Sequence, residues 1–347
     1  MRVAVAMSGG VDSSVTARLL LEQGYAVEGF FLLLAQQDPA ADVERVRRLG
    51  RHLGIPIHVV DLREVFRRRV LDYFVASYVA GRTPNPCVIC NPVIKFGALL
   101  DEVLARGCER LATGHYARLR RDGAGRMHLH KGIDTGKDQS YFLHRLGQEV
   151  LGRLLFPLGE QTKAETRRLA AGFGLADLHG SESQDVCFLG GRSLVEYLAG
   201  CGAELPGPGP ICTEEGQVLG RHEGIHRYTI GQRRGLGIPD ATPWYVVRLD
   251  RQRNAVVVGK EERLWRRDLT ASDCRWVAGA PPAPEFACRV RIRYRHREAP
   301  ATVTIEDGGR CRVRFAEPQR AVTPGQFAVF YHDDEVLGGG VIDDEHA

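Results

Sequence analysis

"AVAMSGGVDSSVTARLL", residues 4–20, passes from an apolar strand through two glycines into an amphipathic helix. Arg2 to Met7 is a short β-rich run, and from Val11 onward Val15, Leu19 and Leu20 recur at helical spacing. Ala6 to Ser13 thus spans a strand end, a turn at Ser8, Gly9 and Gly10, and a helix start. Unpaired backbone N–H groups and the helix dipole favour an anion at such a turn, and glycine lets the backbone approach it closely. Asp12, Ser13 and Ser14 lie in the first helical turn, where serine hydroxyls would add donors. The stretch has neither the lysine of a G-x-x-x-x-G-K-[ST] loop nor a G-x-G-x-x-G. Asp and Ser are also ordinary N-cap residues, so local physics leaves a plain cap open beside an anion site.

The same alternation continues through the first half. "AVEGFFLLL" (26–34) reads as a second strand, 42–53 as a helix and "IPIHVVDL" (55–62) as a third strand. Helical stretches follow at 62–80 and 95–106, then a strand in "ERLATGHYA" (109–117), with helical character returning at 163–172 and 193–198. Alternating β and α predict a parallel sheet covered by helices on both faces, with ligands at the carboxyl ends of its strands. "GAELPGPGPI" (202–211), with three prolines and three glycines, marks a boundary. Beyond it "WYVVRLDRQRNAVVVG" (244–259) and "ATVTIEDGGRCRVRF" (301–315) read as hairpins. The expected organisation is an α/β domain at 1–204 followed by two all-β domains. These are a small central one at 205–271 and a barrel-like one at 272–347.

At 347 residues, with 44% hydrophobic and 26% charged residues and a net charge of +4, the composition is that of an ordinary globular protein. No run reaches the roughly 18 apolar residues needed to span a bilayer. The first strand begins at once, with no secretory pattern before it. An odd number of cysteines, nine, scattered through a large chain fits a reducing cytoplasm and no membrane.

"GRTPNPCVICNPVIKFG" (81–97) is the second unusual stretch. Its prolines predict a stiff loop carrying Cys87 and Cys90 up to Lys95. A structural zinc site would want a second close pair, which the chain lacks. A thioredoxin-like pair would need a different fold. Catalytic thiols are the favoured reading, whereas Cys108, Cys274, Cys288 and Cys311 read as inert buried residues. Cys187, in "SESQDVCFLGG" (181–191), would alone be read as core, and gains importance from the other two thiols. A protein that activates an oxygen as an adenylate and keeps reactive thiols is suited to replacing that oxygen with sulfur. From Arg289 to Arg320 nine arginines face four acidic residues, and Tyr228 and Tyr294 sit beside arginines, a pattern suited to RNA unless it is only a solvated strand face.

The order S-G-G-x-D-S-S resembles the PP-loop of the N-type ATP pyrophosphatases, which bind the pyrophosphate of ATP and adenylate an oxygen on a second substrate. With "AMSGGVDSS", "RTPNPCVICN", "ATGHYA", "GKDQSYFL", "DVCFL", "YTIGQRRGLGI" and "VRIRYRH" in order, the chain resembles the bacterial tRNA-specific 2-thiouridylase family along its whole length. The resemblance implies a three-domain enzyme that replaces the C2 oxygen of a wobble uridine, in tRNAs of the Glu, Gln and Lys type, using ATP and magnesium. Sulfur would come from a cysteine desulfurase or a sulfur carrier. It further implies Asp12 as catalytic, Cys90 as nucleophile and Cys187 as the persulfide carrier. ATP would be bound by Ala6, Met7, Ser8, Gly9, Gly10, Val11, Asp12 and Ser13, with Leu32 and Gly114. Cys87, Val88 and Ile89 would approach the target base, and His115, Lys137, Asp138, Gln139, Arg293, Tyr294 and Gln326 would touch tRNA. Many members carry aspartate where this chain has Cys87, which leaves a resolving thiol or an iron–sulfur cluster on Cys87, Cys90 and Cys187 open. A rival PP-loop ligase for a small acid would not need these thiols. A non-catalytic RNA-binding protein with a metal-held C-x-x-C would not need the glycine turn.

Overall fold

The computed structural model describes residues 1–175 and 186–344, so 181–185 of the stretch preceding Cys187 lie outside the described residues. The chain opens with β1 (Arg2–Ala6), α1 (Val11–Glu22), β2 (Ala26–Leu33), α2 (Pro39–Leu53) and β3 (Ile57–Asp61). After the segment that carries the C-x-x-C comes β4 (Arg110–Ala112). A hairpin of β5 (Ala117–Arg121) and β6 (Met127–Lys131) precedes β7 (Leu154–Leu155). The sheet is parallel throughout in the order β3-β2-β1-β4-β7. β1 is central, and Val3, Ala4 and Val5 are fully buried, as strands covered on both faces must be. The chain winds one way from β1 to β3 and then crosses to the other side of β1. The strand order therefore switches between β1 and β4, and a ligand crevice opens beyond the carboxyl ends of those two strands.

The C-x-x-C segment differs from the expected loop. Pro86–Cys90 is helical and runs into a π-helical stretch, Asn91–Ala98, and then the helix Leu99–Ala105. Pro86 takes the first helical position, where its missing N–H costs nothing. Pro92 removes one interior hydrogen bond, and the wider π-helical turn absorbs it. The strand expected through residue 117 likewise ends at Ala112, and the chain turns there toward β5.

β8 (Gly209–Thr213), β9 (Val218–His222), β10 (Tyr245–Asp250) and β11 (Ala255–Gly259) form a second sheet. The third sheet contains β12 (Trp265–Trp276), β13 (Glu285–Arg291), β14 (Ala299–Glu306), β15 (Arg310–Arg320), β16 (Phe327–His332) and β17 (Glu335–Ile342). β12 pairs with both β15 and β17, so these strands close into a barrel. Residue 271, the expected boundary, falls inside β12, and the last sheet begins at Trp265. The hairpin β5–β6 attaches to the barrel through His130 opposite Glu335.

A buried ionic cluster fastens this attachment. Arg291 donates to Asp138 Oδ2 (3.1 Å) and Glu298 Oε1 (2.6 Å), and Lys131 Nζ donates to Glu298 Oε2 (2.6 Å). The Asp138 and Glu298 side chains are only 3% and 8% exposed, so each carboxylate depends on its cation for the solvation it has lost. Arg291→Met should cost about 3–5 kcal/mol of stability. Denaturant unfolding checks this, and a cost within the scatter of surface substitutions would show that the cluster does not fasten the β5–β6 hairpin to the barrel.

Candidate active site

At the carboxyl edge of β1 the backbone leaves the sheet with Met7 N–H donating to Phe30 O (2.8 Å). Gly9 has φ +78°, a conformation that requires glycine, and a Cβ there would lie 2.8 Å from Arg45 Nε. Gly10 caps α1 without a side-chain bond. Ser13 and Ser14 hydroxyls both donate to Gly10 O (3.0 Å each), so they fasten the turn instead of facing an anion as expected. Arg45, on α2, pairs with Asp42, yet its Nε is buried with no hydrogen-bond partner among the described residues. An orphaned guanidinium donor against the glycine turn fits a bound phosphate. No sequence motif marks Arg45, because only tertiary packing brings α2 over Gly9.

The strands flanking β1 supply the rest of this edge. Leu32, half-buried near the end of β2, has its carbonyl held by Gln36 Nε2 (2.6 Å). Gly114 follows β4, and a Cβ there would lie 2.9 Å from Asp12 Cβ and 3.0 Å from the Asp12 carbonyl carbon. Only glycine lets the β4 turn close on the first turn of α1. Asp12 Oδ1 accepts from Lys163 Nζ (2.7 Å) and Tyr116 OH (2.9 Å). Lys163 opens the helix Lys163–Gly172 behind a capping box of Thr162 and Glu165, the one sequence signal that could have placed it. Ala6 to Ser13, Leu32 and Gly114 are therefore brought to one place, and Arg45, Tyr116 and Lys163 join them.

The thiols lie on the adjoining helix and the segment after residue 185. Cys90 is buried, Cys87 half-buried and Cys187 exposed. Burial pushes Cys90 up to about 12 and raises Cys87, desolvation of its sulfur raises Cys187 although the residue as a whole is exposed, and the Lys95 ammonium pulls each back. Cys187 in turn acts electrostatically on Cys87 and Cys90, so the three thiols share one neighbourhood. Lys95 is half-buried between the buried Ile94 and Phe96. It makes no ion pair among the described residues. In an α-helix the residue five positions on falls about 140° round from the first. The π-helical i→i+5 register returns Lys95 toward the face of Cys90. Lys95→Met should slow sulfur transfer by about 10–100-fold, while Lys95→Arg keeps most of the rate, as expected for a charge acting on anionic sulfur. Thiolated uridine per tRNA against time reads this, and an unchanged rate in the Met variant would remove Lys95 from the chemistry. Among the described residues no three Cys, His, Asp or Glu side chains converge to hold a metal ion.

Of the residues expected at the base or the tRNA, several turn inward. Val88 is fully buried, facing the core, and Ile89 is half-buried. His115 is buried between the rings of Phe96 and Phe156, with Nδ1 2.6 Å from Thr113 Oγ1. Burial, then Lys95, holds it neutral, well below the usual range for histidine. Asp138 is committed to Arg291 and Ser140. Gln139 Oε1 accepts from Tyr116 N (3.1 Å), and Lys137 alone of that trio is exposed. Tyr294 stacks on Phe142 at 4.4 Å, and Tyr228 packs into the core of the second sheet. Gln326 Nε2 donates to Thr83 O (2.9 Å), gripping the loop that leads into the C-x-x-C helix. Arg293 is half-buried beside Arg320, with only long bonds of 3.4 Å to the carbonyls of Arg320 and Ala321. These side chains build the joint between sheet and barrel, and Lys137 and Arg293 are the two left with charge to offer.

Three family models cover the chain in succession: a tRNA methyl transferase HUP domain at residues 1–191, a tRNA methyl transferase PRC-barrel domain at 196–260, and an aminomethyltransferase β-barrel domain at 266–342. A tRNA-specific 2-thiouridylase of Geobacter metallireducens is 49% identical over 360 residues, covering 99% of this chain and 96% of the relative. One of Chloroflexus aggregans is 48% identical, covering 98% of each. A solved 4-thiouridine synthetase–RNA complex with bound ATP matches more distantly, with a TM-score of 0.38 and 18% identity over 57% of this chain and 50% of that one. With near-complete coverage at nearly half identity, the chain belongs to the tRNA-specific 2-thiouridylase family.

Proposed function

We propose that the protein adenylates the C2 oxygen of a wobble uridine in tRNA at the Ser8–Gly10 turn and replaces it with sulfur carried on Cys187. One observation carries this reading. Lys95, a half-buried ammonium, is the electrostatic neighbour of all three thiols and of His115. His115 directly follows Gly114, which packs on Asp12 of the turn. The nucleotide turn and the thiols thus serve one reacting centre.

The turn and the Arg45 guanidinium take the phosphates of ATP, and Asp12 is the carboxylate suited to hold magnesium on them. Attack of the uridine O2 on the α-phosphate expels pyrophosphate and leaves C2 bonded to the oxygen of AMP, with the N3 proton lost. The terminal sulfur of a Cys187 persulfide then forms a bond to C2, and AMP departs with the electron pair of the broken C–O bond. Cys90 attacks the Cys187 sulfur. A Cys90–Cys187 disulfide forms, the electron pair of the cleaved S–S bond stays on the C2 sulfur, and the Cys90 proton ends on N3. A thiol reductant resets the pair. Cys90, protonated at rest by burial, is protected from oxidation until this step. The persulfide comes from a cysteine desulfurase or a sulfur carrier, and the substrates are tRNAs of the Glu, Gln and Lys type. No helix among the described residues is long and apolar enough to cross a membrane.

Protein incubated with ATP, magnesium, a persulfide donor and bulk tRNA should yield 2-thiouridine, AMP and pyrophosphate in equal amounts. Thiolation without pyrophosphate would overturn the adenylate. Arg293→Ala should weaken tRNA binding and lower the log–log salt slope by about one unit, as loss of one phosphate contact does. Unchanged affinity and slope would take Arg293 off the RNA.

A further inference from the structure

Cys274 reads as an inert buried residue in sequence, and the barrel leaves it half-buried beside a second thiol. β12 carries a bulge against β17 between Ser272 and Arg275, with Asp273 in the left-handed region at φ +48°. Upstream of the bulge the inward residues are Leu269 and Ala271, and downstream they are Cys274 and Trp276. The extra residue shifts the alternation by one and rotates Cys274 into the barrel. Its sulfur then lies 3.1 Å from the sulfur of Cys311 on β15. Cys311 is itself opposite Ala271 in the ladder. The space is made on a third strand: a Cβ on Gly340 would sit 2.6 Å from Cys274 Sγ and 3.2 Å from Ala271 Cβ. A bulge, a glycine and a facing cysteine on three strands all serve the meeting of two free thiols.

We propose that Cys274 and Cys311 form a dithiol site that closes to a disulfide when the protein meets hydrogen peroxide. Disulfide sulfurs lie about 2.05 Å apart, so closure needs a movement of about 1 Å. Cys274 is half-buried and Cys311 fully buried, which makes Cys274 the thiol a small oxidant reaches first. Its sulfur attacks one peroxide oxygen, the O–O bond breaks, and water leaves, giving a sulfenic acid. Cys311 then attacks the Cys274 sulfur, the S–S bond forms, the S–O bond breaks, and the sulfenic oxygen leaves as a second water. Two thiols lose one electron each, and one peroxide becomes two waters. The bond staples β12 to β15 at the bulge. Asp273 there accepts from Arg145 Nη2 at its carboxylate (2.5 Å) and from Nη1 at its carbonyl (3.3 Å). Oxidation therefore bears on the joint between the barrel and the segment that follows "GKDQSYFL".

The full-length protein is treated with graded hydrogen peroxide, its remaining thiols are alkylated, and it is digested without reduction for mass spectrometry. The expected product is a peptide pair joined through Cys274 and Cys311, two hydrogens lighter than the sum, with both thiols lost in equal amounts. Treatment with a dithiol restores them. The oxidised protein should melt several degrees higher, an increase absent in Cys274→Ser, whose half-buried position tolerates the change. Three results would each overturn the proposal: sulfinic acid on Cys274 with Cys311 still alkylatable, a Cys288–Cys311 link instead, or unreacted thiols under peroxide that oxidises Cys187.

Discussion

Cys90→Ser and Cys187→Ser should each abolish tRNA thiolation, with turnover falling about 10⁴-fold or more, as loss of a covalent nucleophile does. Both variants should still bind tRNA and release some pyrophosphate, because neither residue lies in the glycine turn. Their defects should differ in kind. Cys187→Ser cannot carry the persulfide and should show no labelled sulfur on the protein. Cys90→Ser should stall with sulfur on Cys187 joined to the base, giving a protein–tRNA adduct that a small thiol releases. Cys87→Asp should retain most activity. Cys87 occupies the first turn of the Pro86–Cys90 helix, where a carboxylate is favoured by the free N–H groups. Mass spectrometry of digested tRNA and of the intact protein reads all three. Full activity in either serine variant would refute the sulfur route, whereas an inactive Cys87→Asp would make Cys87 part of the chemistry.

The second large effect is at the nucleotide turn. Asp12→Ala should reduce pyrophosphate release by about 10²–10⁴-fold, the range for removing a charged group that positions a reacting phosphate. Gly114→Ala should approach the lower end of that loss without touching a charge. Its new Cβ would meet Asp12 Cβ at 2.9 Å and the Asp12 carbonyl carbon at 3.0 Å, so the first turn of α1 must move. A displacement of about 1 Å at a reacting centre costs about 10²-fold. In both variants tRNA affinity should stay near that of the parent, since the turn lies on the sheet and the exposed arginines lie on the barrel. Pyrophosphate release and filter binding on the same preparations separate the two. Equal losses in both assays would mean that the turn is not a nucleotide site. An unaffected Gly114→Ala would mean that the close approach to Asp12 has no bearing on adenylation.

Local chemistry was enough to fix the strand–turn–helix at residues 4–20, the parallel sheet and the later hairpins, since each depends on periodicity and on glycine within a short window. The order of motifs was enough to identify the family. Packing decided the rest. Pro84, Pro86 and Pro92 read as breakers, yet the core drew Val88, Ile94 and Phe96 into one helix that widens around Pro92, because burial outweighs the loss of one hydrogen bond. Asp138, Tyr228 and His115 look like surface recognition residues in sequence, yet Asp138 is buried against Arg291 of the barrel, Tyr228 in the core of the second sheet and His115 between Phe96 and Phe156. Arg45 and Lys163 carry no nucleotide motif, since each reaches the glycine turn or Asp12 only when folding brings a distant helix close. The meeting of Cys274 with Cys311 depends on one bulge residue. Sequence determined which chemistry this chain contains, and tertiary structure decided which side chains reach it, because orientation and burial depend on contacts between residues far apart in the chain.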